Sequence, residues 1–371
     1  MFYQYLEKRK NIEGNNDVGR QPVNYCYPVC FIIPEYIHRN IFEKGTEKQK
    51  QQAWKNLILT EQLRGRRNVA GSMHTLFAVA DKLYRTIFDG QNSESLPGNL
   101  ILSEGGKLRG GPTVAEAYNY SGNTYNFYNQ VFDRNSVDNR GMKLDSSVHY
   151  SEGYNNAFWN GTQMVYGDGD GQIFNRFTMS LDVIGHELTH GVTQYEAALE
   201  YQDQPGALNE SISDVFGSLV KQYTLKQIAQ KADWLIGAGL FTKKVKGVAL
   251  RSMKAPGTAY DDPVIGKDSQ PAHMRDYVET SSDNGGVHTN SGIPNHAFYL
   301  TATEIGGKAW EKAGKIWYIT LRDRLRERSD FQETANLTFE VAGSLFGDES
   351  NEQQGVFKAW DSVGLPPKSK K

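Results

Sequence analysis

Cysteine is nearly absent from this sequence. Cys26 and Cys30 are the only two in 371 residues, too few for a disulfide framework and half of what a zinc knuckle needs. They read as unpaired thiols. Long apolar runs are missing too, and no stretch approaches the ~20 residues of a membrane span. Charge of one sign is lacking: the formal net charge is −2, which gives no electrostatic reason to expect nucleic acid or an anionic membrane as partner. The opening MFYQYLEKRKNIEGNNDVG does not have the order of basic region, apolar core and small-residue cleavage site that marks a secretory signal. The expectation is therefore a cytoplasmic pool or export by a non-Sec route. No internal repeat is visible.

What remains is an ordinary soluble composition, 38% apolar and 23% charged, with 37 glycines and 20 tyrosines that suit a β-rich, loop-rich region. The length suggests two or three domains. Residues 1–28 are polar and expected to be poorly ordered. Thr46 and Gln49 have the spacing of a capping box, and Ala53, Trp54, Leu57 and Ile58 fall on one helical face. Together they predict a helix over 46–63, ending at a basic linker, RGRR, with a boundary at 65–72. From 85 to 178 short β-type runs (LILS, TYNFYNQVF, VHYS, NAFWNG, QMVYG) alternate with glycine turns, which predicts an antiparallel, turn-rich lobe. After Met179 the pattern turns helical, at 180–196, 206–224, 227–238, 291–305, 308–322, 331–345 and 350–361. The terminal PPKSKK reads as a frayed tail. One segment is out of place: VCFIIPEYIHRNI (29–41), a sticky apolar peptide inside a polar leader.

The segment with chemistry in it is LDVIGHELTHGVTQYE. His186 and His190 are four apart, so on a helix they share a face and can grip one metal ion. Glu187 lies about 100° further round, within reach of a water held there. Thr193 and Glu196 stand where a metzincin needs Gly and His, which excludes that class. A glutamate from a second helix is the other solution, and GALNESISDVFG supplies Glu210, with Asp214 one turn beyond. Two histidines and a glutamate leave a fourth position open, the arrangement of a catalytic rather than a structural zinc site. Asp214 is placed to hold the distal nitrogen of His186.

These motifs, with GYNNAFWNGTQMVYGDGDG (153–171), RSM (251–253) and DNGGVHTNSG (283–292), resemble in content and order the thermolysin-like metallopeptidases, from about residue 85 to the end. The resemblance implies an α+β fold of two lobes, β-rich then helical, with a central zinc-binding helix between them. It implies zinc on His186, His190 and Glu210, Glu187 as general base, and Tyr201 and His288 as the oxyanion-stabilising pair. Asp283 would orient His288, Arg251 would hold the carbonyl beyond the scissile bond, and Asn156 and Ala157 would form the edge strand that binds peptide backbone. Phe174, Phe177, Val183, Ile236, Leu240 and Leu250 would line an apolar pocket after the scissile bond, favouring cleavage before Leu, Phe, Ile or Val. The family's calcium cluster keeps Asp182, with Asp233 a further candidate, but has Lys221, Leu235 and Ala238 at other positions. A lysine ammonium can neutralise Asp182, so calcium is not expected. DGDG at 168–171 reads as a tight turn.

The stretch before residue 71 resembles the short propeptide of the protealysin-like branch. Its inhibitory segment matches Ile33, Pro34, Glu35, Tyr36 and Ile37, with Glu35 in place of a second proline. The implied organisation is an inhibitory propeptide at 1–70, a β-rich lobe at 71–178 and a helical lobe at 179–371. The implied product is a latent zinc endopeptidase whose partners are peptide or protein substrates and its own propeptide in cis. Two questions stay open at this level. Cys30 is either a plain thiol or a zinc-binding thiolate. Release near Arg64–Met73 falls either to a separate trypsin-like enzyme or to self-cleavage before Val69, Met73, Leu76 or Phe77. Two other readings remain for comparison, a silent peptide-binding scaffold and an aminopeptidase, though NNAFWNG has no acidic anchor for a free amino terminus.

Overall fold

The computed structural model describes residues 29–70 and 82–368. The polar start, the thiol of Cys26, the positions Met73, Leu76 and Phe77, and the last three residues lie outside the described residues. No described helix is long and apolar enough to cross a membrane.

The chain begins with β1 (Cys30–Phe31), followed by α1 (Glu35–Lys44) and α2 (Glu47–Ala70). Pro34 sits in extended backbone at the start of α1, which suits a residue with fixed φ and no donor. The capping box forms at the head of α2: the Thr46 amide donates to Gln49 Oε1 at 2.8 Å, and the Gln49 amide reaches Thr46 Oγ1 at 3.4 Å. Two expectations for this helix need correction. It runs on to Ala70, through the segment read as a linker. Its buried stripe is also rotated, because Ala53, Asn56, Leu59 and Thr60 face inward while Trp54 and Ile58 are exposed. Trp54 instead meets Phe42 of α1 at a tilt, ring centroids 5.5 Å apart, so a two-helix contact takes what periodicity assigned to a core.

The next lobe holds β2 (Arg85–Asp89), β3 (Asn99–Ser103), α3 (Gly111–Phe132), β4 (Leu144–Val148), β5 (Ala157–Trp159) and β6 (Met164–Tyr166). Here the antiparallel reading fails twice. TYNFYNQVF lies inside α3, whose inward face reads Val114, Ala117, Ser121, Thr124, Phe127 and Tyr128; its aromatic content suggested strand, but its burial has the helical period. The sheet is mixed, in the order β1-β5-β6-β4-β2-β3. β4 runs parallel to both β2 and β6, and the other pairs are antiparallel. The turn joining β5 and β6 is closed by Asn160, whose side-chain oxygen accepts the amides of Thr162 and Gln163 at 3.0 and 2.9 Å. The DGDG segment is a turn held by its own carboxylate: Asp170 Oδ1 accepts three successive amides, from Gln172 to Phe174.

The second lobe opens with α4 (Leu181–Tyr195) and α5 (Asp203–Thr224), followed by the short pairs β7 (Leu235–Ile236) with β8 (Arg251–Ser252) and β9 (Asp261–Asp262) with β10 (Gly266–Lys267). The helix expected over 227–238 is one 3₁₀ turn and a strand. A short helix α6 (Asp283–Asn290) then leads into α7 (Gly292–Ile305), α8 (Ala313–Ile319), α9 (Phe331–Phe346) and α10 (Asn351–Ser362). α4 is buried along Leu181–Thr193, polar residues included. It touches α5 closely because both carry glycine at the crossing. A side chain on Gly217 would place its first carbon 2.4 Å from the Asp182 carbonyl oxygen, and one on Gly185 would stand 3.1 Å from the Gly217 Cα.

Candidate active site

That glycine crossing sets the spacing of the donors. His186 and His190 lie one turn apart on α4, and Glu210 faces them from α5. The two imidazole Nε2 atoms are 3.0 Å apart, and Glu210 stands 3.4 Å from each ring. Two nitrogens bound to a tetrahedral cation at ~2.0–2.1 Å would be about 3.3 Å apart. Among the described residues these are the three acidic, histidine or cysteine side chains whose donor atoms converge. Cys30, buried beside Tyr201 and Val287, is not one of them.

The outer nitrogens of both rings are occupied. His186 Nδ1 meets Asp214 Oδ1 at 2.8 Å, as the spacing suggested. His190 Nδ1 is 2.8 Å from Asn209 Oδ1 and 3.1 Å from Ser213 Oγ, contacts that sequence reasoning missed. The signal was available, since Asn209 directly precedes Glu210 and Ser213 lies one turn later. With Nδ1 engaged, both Nε2 atoms face the gap. Burial drives His190 down to about 3. Burial also opposes charge on His186, but Asp214 and Glu210 outweigh it and raise the ring to about 9; a cation bound here takes that proton's place. Glu210 Oε2 carries no hydrogen bond. Two neutralisable imidazoles and a carboxylate with an unpartnered oxygen fit zinc.

Glu187 lies beside this set on α4. Its Oε2 accepts the Trp159 amide at 2.9 Å, and its Oε1 is buried with no hydrogen-bond partner. Burial pushes its carboxyl up to about 8, close to the range a proton carrier at neutral pH needs. On the far side, α6 presents His288. Its approach is a left-handed run, with Asn284, Gly285 and Gly286 all at positive φ, a conformation that glycine enters freely. Asp283 takes both the His288 amide and Nδ1, at 3.0 and 2.8 Å, leaving Nε2 as the working end. Tyr201 directs its hydroxyl to Glu210 and lies 3.5 Å from His288 Nε2.

Arg251 is locked by a two-point contact with Asp214, 2.8 Å at each end. Asn295 adds a third donor to the same carboxylate, also at 2.8 Å. Asp214 therefore ties a metal-side histidine to the arginine, and Arg251 and His186 outweigh burial to hold it at about 2. Phe174, Phe177, Val183, Ile236, Leu240 and Leu250 are all buried, as is Ile32.

The segment Cys30–Ile33 lies against these residues. β1 pairs antiparallel with β5, Cys30 opposite Trp159 and Phe31 opposite Phe158. His288 Nε2 donates to the Phe31 carbonyl at 2.7 Å and Arg251 Nη1 to the Ile32 carbonyl at 3.3 Å. The Ile32 amide reaches the Ala157 carbonyl at 3.2 Å. Asn156 accepts the Ile33 amide at 2.9 Å and donates to its carbonyl at 3.3 Å. The expected inhibitory stretch, Ile33–Ile37, is thus displaced: of those five residues only Ile33 makes these backbone contacts. Glu35 pairs with Arg39 on the surface of α1, Tyr36 meets the Tyr260 hydroxyl at 3.0 Å, and Ile37 packs in the core.

Comparison with known proteins gives the context. Residues 60–194 match the family model described as thermolysin metallopeptidase, catalytic domain, and residues 197–365 match thermolysin metallopeptidase, alpha-helical domain. The chain is 50% identical over 339 residues to an extracellular metalloprotease of Pectobacterium carotovorum subsp. carotovorum, covering 91% of this chain and 97% of that one. It is 41% identical to thermolysin of Alicyclobacillus acidocaldarius subsp. acidocaldarius, covering 75% of this chain and 50% of that longer one. The precursor of protealysin, a metalloproteinase from Serratia proteamaculans, superposes with a TM-score of 0.83 at 53% identity, covering 91% of this chain and 99% of that one.

Proposed function

This chain belongs to the thermolysin family of metallopeptidases and is a zinc metalloendopeptidase, and we propose that it is made as a latent precursor whose Cys30–Ile33 segment occupies its own substrate cleft. The observation that carries the reading is the row of backbone hydrogen bonds from His288, Ala157, Arg251 and Asn156 to Phe31, Ile32 and Ile33. Tethering makes even a weak plug effective, since a short linker holds it at an effective concentration in the millimolar range.

His186, His190 and Glu210 would hold the zinc. Bound there, zinc would supply polarisation of the substrate carbonyl and would bring the pKa of water toward ~7. Glu187 takes the proton of the attacking water at its unpartnered Oε1 and passes it to the leaving amine. His288 Nε2, with Asp283 on its other nitrogen, donates to the carbonyl oxygen as charge grows there. Tyr201 joins it by turning from Glu210, and preorganised donors of this kind supply ~3–4 kcal/mol each. Arg251 and Asn156 hold the backbone beyond the scissile bond. The apolar pocket selects Leu, Phe, Ile or Val after that bond, with ~1–3 kcal/mol at stake per methylene-sized mismatch. Lys221, bonded at 2.7 Å to Asp182 and the Leu235 carbonyl and at 2.9 Å to Asp233, stands in for a divalent cation, so calcium is not required. Final release of the N-terminal segment falls within Arg64–Met73, by self-cleavage or by a separate protease at the basic residues.

The test is Glu187→Gln beside the wild type. After an added protease has clipped the segment, the wild type hydrolyses casein, cutting before large apolar residues, and the variant retains zinc without hydrolysis. Casein turnover by the variant, or none by the clipped wild type, refutes the reading.

A further inference from the structure

We infer that the peptide bond between Phe31 and Ile32 sits in the reacting position of its own active site and is the first bond the zinc-loaded precursor cuts, in cis. This rests on the function proposed above and adds the identity of the first substrate.

A blocking segment need not lie like a substrate, but this one does. The strand runs antiparallel to β5, and each polar backbone group around one peptide bond meets the group that would serve a substrate. The carbonyl before the bond, that of Phe31, is the one held by His288 at 2.7 Å, on the side where His288 stands 3.5 Å from the metal-side Glu210. The amide after the bond, that of Ile32, is held by Ala157, and the carbonyl beyond it by Arg251. The Ile32 side chain is fully buried, and a β-branched apolar side chain suits the apolar pocket proposed above.

The register is fixed from both sides. A slip of one residue would turn every side chain to the opposite face. A slip that put Ile33 in the place of Ile32 would also bring Pro34 opposite Asn156, where no N–H exists to replace the 2.9 Å bond made by Ile33. Pro34 therefore both starts α1 and aligns the bond two residues before it.

The step is a hydrolysis. Water adds to the Phe31 carbonyl carbon with its proton taken by Glu187. The bond from that carbon to the Ile32 nitrogen then breaks, and the proton passes to the departing amine. The products are a Phe31 carboxylate and a free Ile32 amino terminus. Residues 1–31 lose their covalent tie and leave with β1, while α1 and α2 stay attached. Zinc loading thus starts a first-order clock that opens half the cleft before any cut near Arg64–Met73.

The experiment follows the full-length chain after zinc addition in heavy-oxygen water, by intact mass and amino-terminal sequencing, over a wide range of protein concentration. The expected first product begins at Ile32, carries the label in the Phe31 carboxylate of its partner fragment, and appears with the same half-life at every concentration. Ile32→Asp removes this product and Ile32→Val keeps it. In the Glu187→Gln precursor, uncut with or without zinc, the Ile32 and Ile33 amides are protected from hydrogen exchange. The inference is overturned if the clipped enzyme hydrolyses casein while the Phe31–Ile32 bond survives maturation. It also falls if that cut speeds up with protein concentration, or if both amides exchange freely. If the clipped enzyme hydrolyses nothing, it is the proposed function that fails.

Discussion

Acid should loosen the N-terminal segment, through His38. This residue lies on α1, is fully buried, and has no hydrogen-bond partner at either ring nitrogen. Burial lowers its pKa from 6.5 to about 4, while Asp170, from the turn after β6, and Glu35, on α1 itself, pull weakly the other way. The sign follows from linkage. The docked form refuses a proton that the undocked form accepts, so the contribution is complete above pH 6.5, is lost as pH falls toward 4, and is constant below that. A fall from 6.5 to about 4, at ~1.36 kcal/mol per pH unit, disfavours docking by about 3 kcal/mol at the acid limit and by about 2 kcal/mol at pH 5.

The assay is hydrogen exchange of the α1 amides in the Glu187→Gln precursor, where self-cleavage does not intervene, at pH 7 and pH 5 after correction for intrinsic rates. His38→Leu is the comparison, since it keeps the apolar contact and removes the titration. Wild-type protection should drop by roughly twentyfold between the two conditions, and the variant should change far less. His149 has the opposite sign, because its bond to Asp168 raises its pKa; its contribution is complete below pH 6.5 and is lost as pH rises beyond that, and it is present in both proteins. Equal loss of protection in His38→Leu and the wild type would refute the argument.

Two further outcomes are expected. Lys221→Met leaves Asp182, 1% exposed, without its cation, and removing one partner of a buried pair costs ~3–5 kcal/mol; a thermal melt shows it, and a loss below about 1 kcal/mol rules out the lysine as the internal counter-ion. Gly217→Ala forces a carbon to within 2.4 Å of the Asp182 carbonyl, so it should destabilise the protein by ~1–3 kcal/mol and weaken zinc retention by spreading α4 from α5. Unchanged zinc affinity in a dialysis competition would show that the donor spacing does not depend on that crossing.

What the sequence revealed divides by the range of the signal. His186, Glu187 and His190 sit within five residues, and helix geometry alone puts them together. Glu210 and Asp214 follow on the adjacent helix, so a short-range pattern was enough to bring them to the metal side. The antiparallel reading of 85–178 fails because aromatic residues favour strands in a local pattern. In α3 those rings serve helix packing, with Phe127, Tyr128 and Phe132 all within 6.1 Å of one another, and a mixed sheet needs a crossover that no local pattern announces. The helix expected at 227–238 failed for a related reason. Trp234, buried with its indole N–H on the Ala229 carbonyl at 2.9 Å, stands at positive φ, which ends any helix there.

The N-terminal segment shows the same limit more sharply. Its apolar character was plain, but the contacts fell on Phe31, Ile32 and Ile33 rather than on the stretch from Ile33 to Ile37 that matched the propeptide motif. Motif matching weights side chains, whereas five backbone groups, bonded to residues more than a hundred positions away, set this register. Pro34 is the point where the two descriptions meet. It belongs to the recognisable motif through its ring, and it acts on the cleft through the N–H it lacks. That makes its replacement informative: an alanine there supplies the missing donor and permits the one-residue slip. A precursor with Pro34→Ala should therefore yield a mixture of new amino termini, at Ile32 and Ile33, where the native chain yields one. A single terminus at Ile32 from the alanine variant would mean that side-chain burial alone holds the register and that the proline serves only the start of α1.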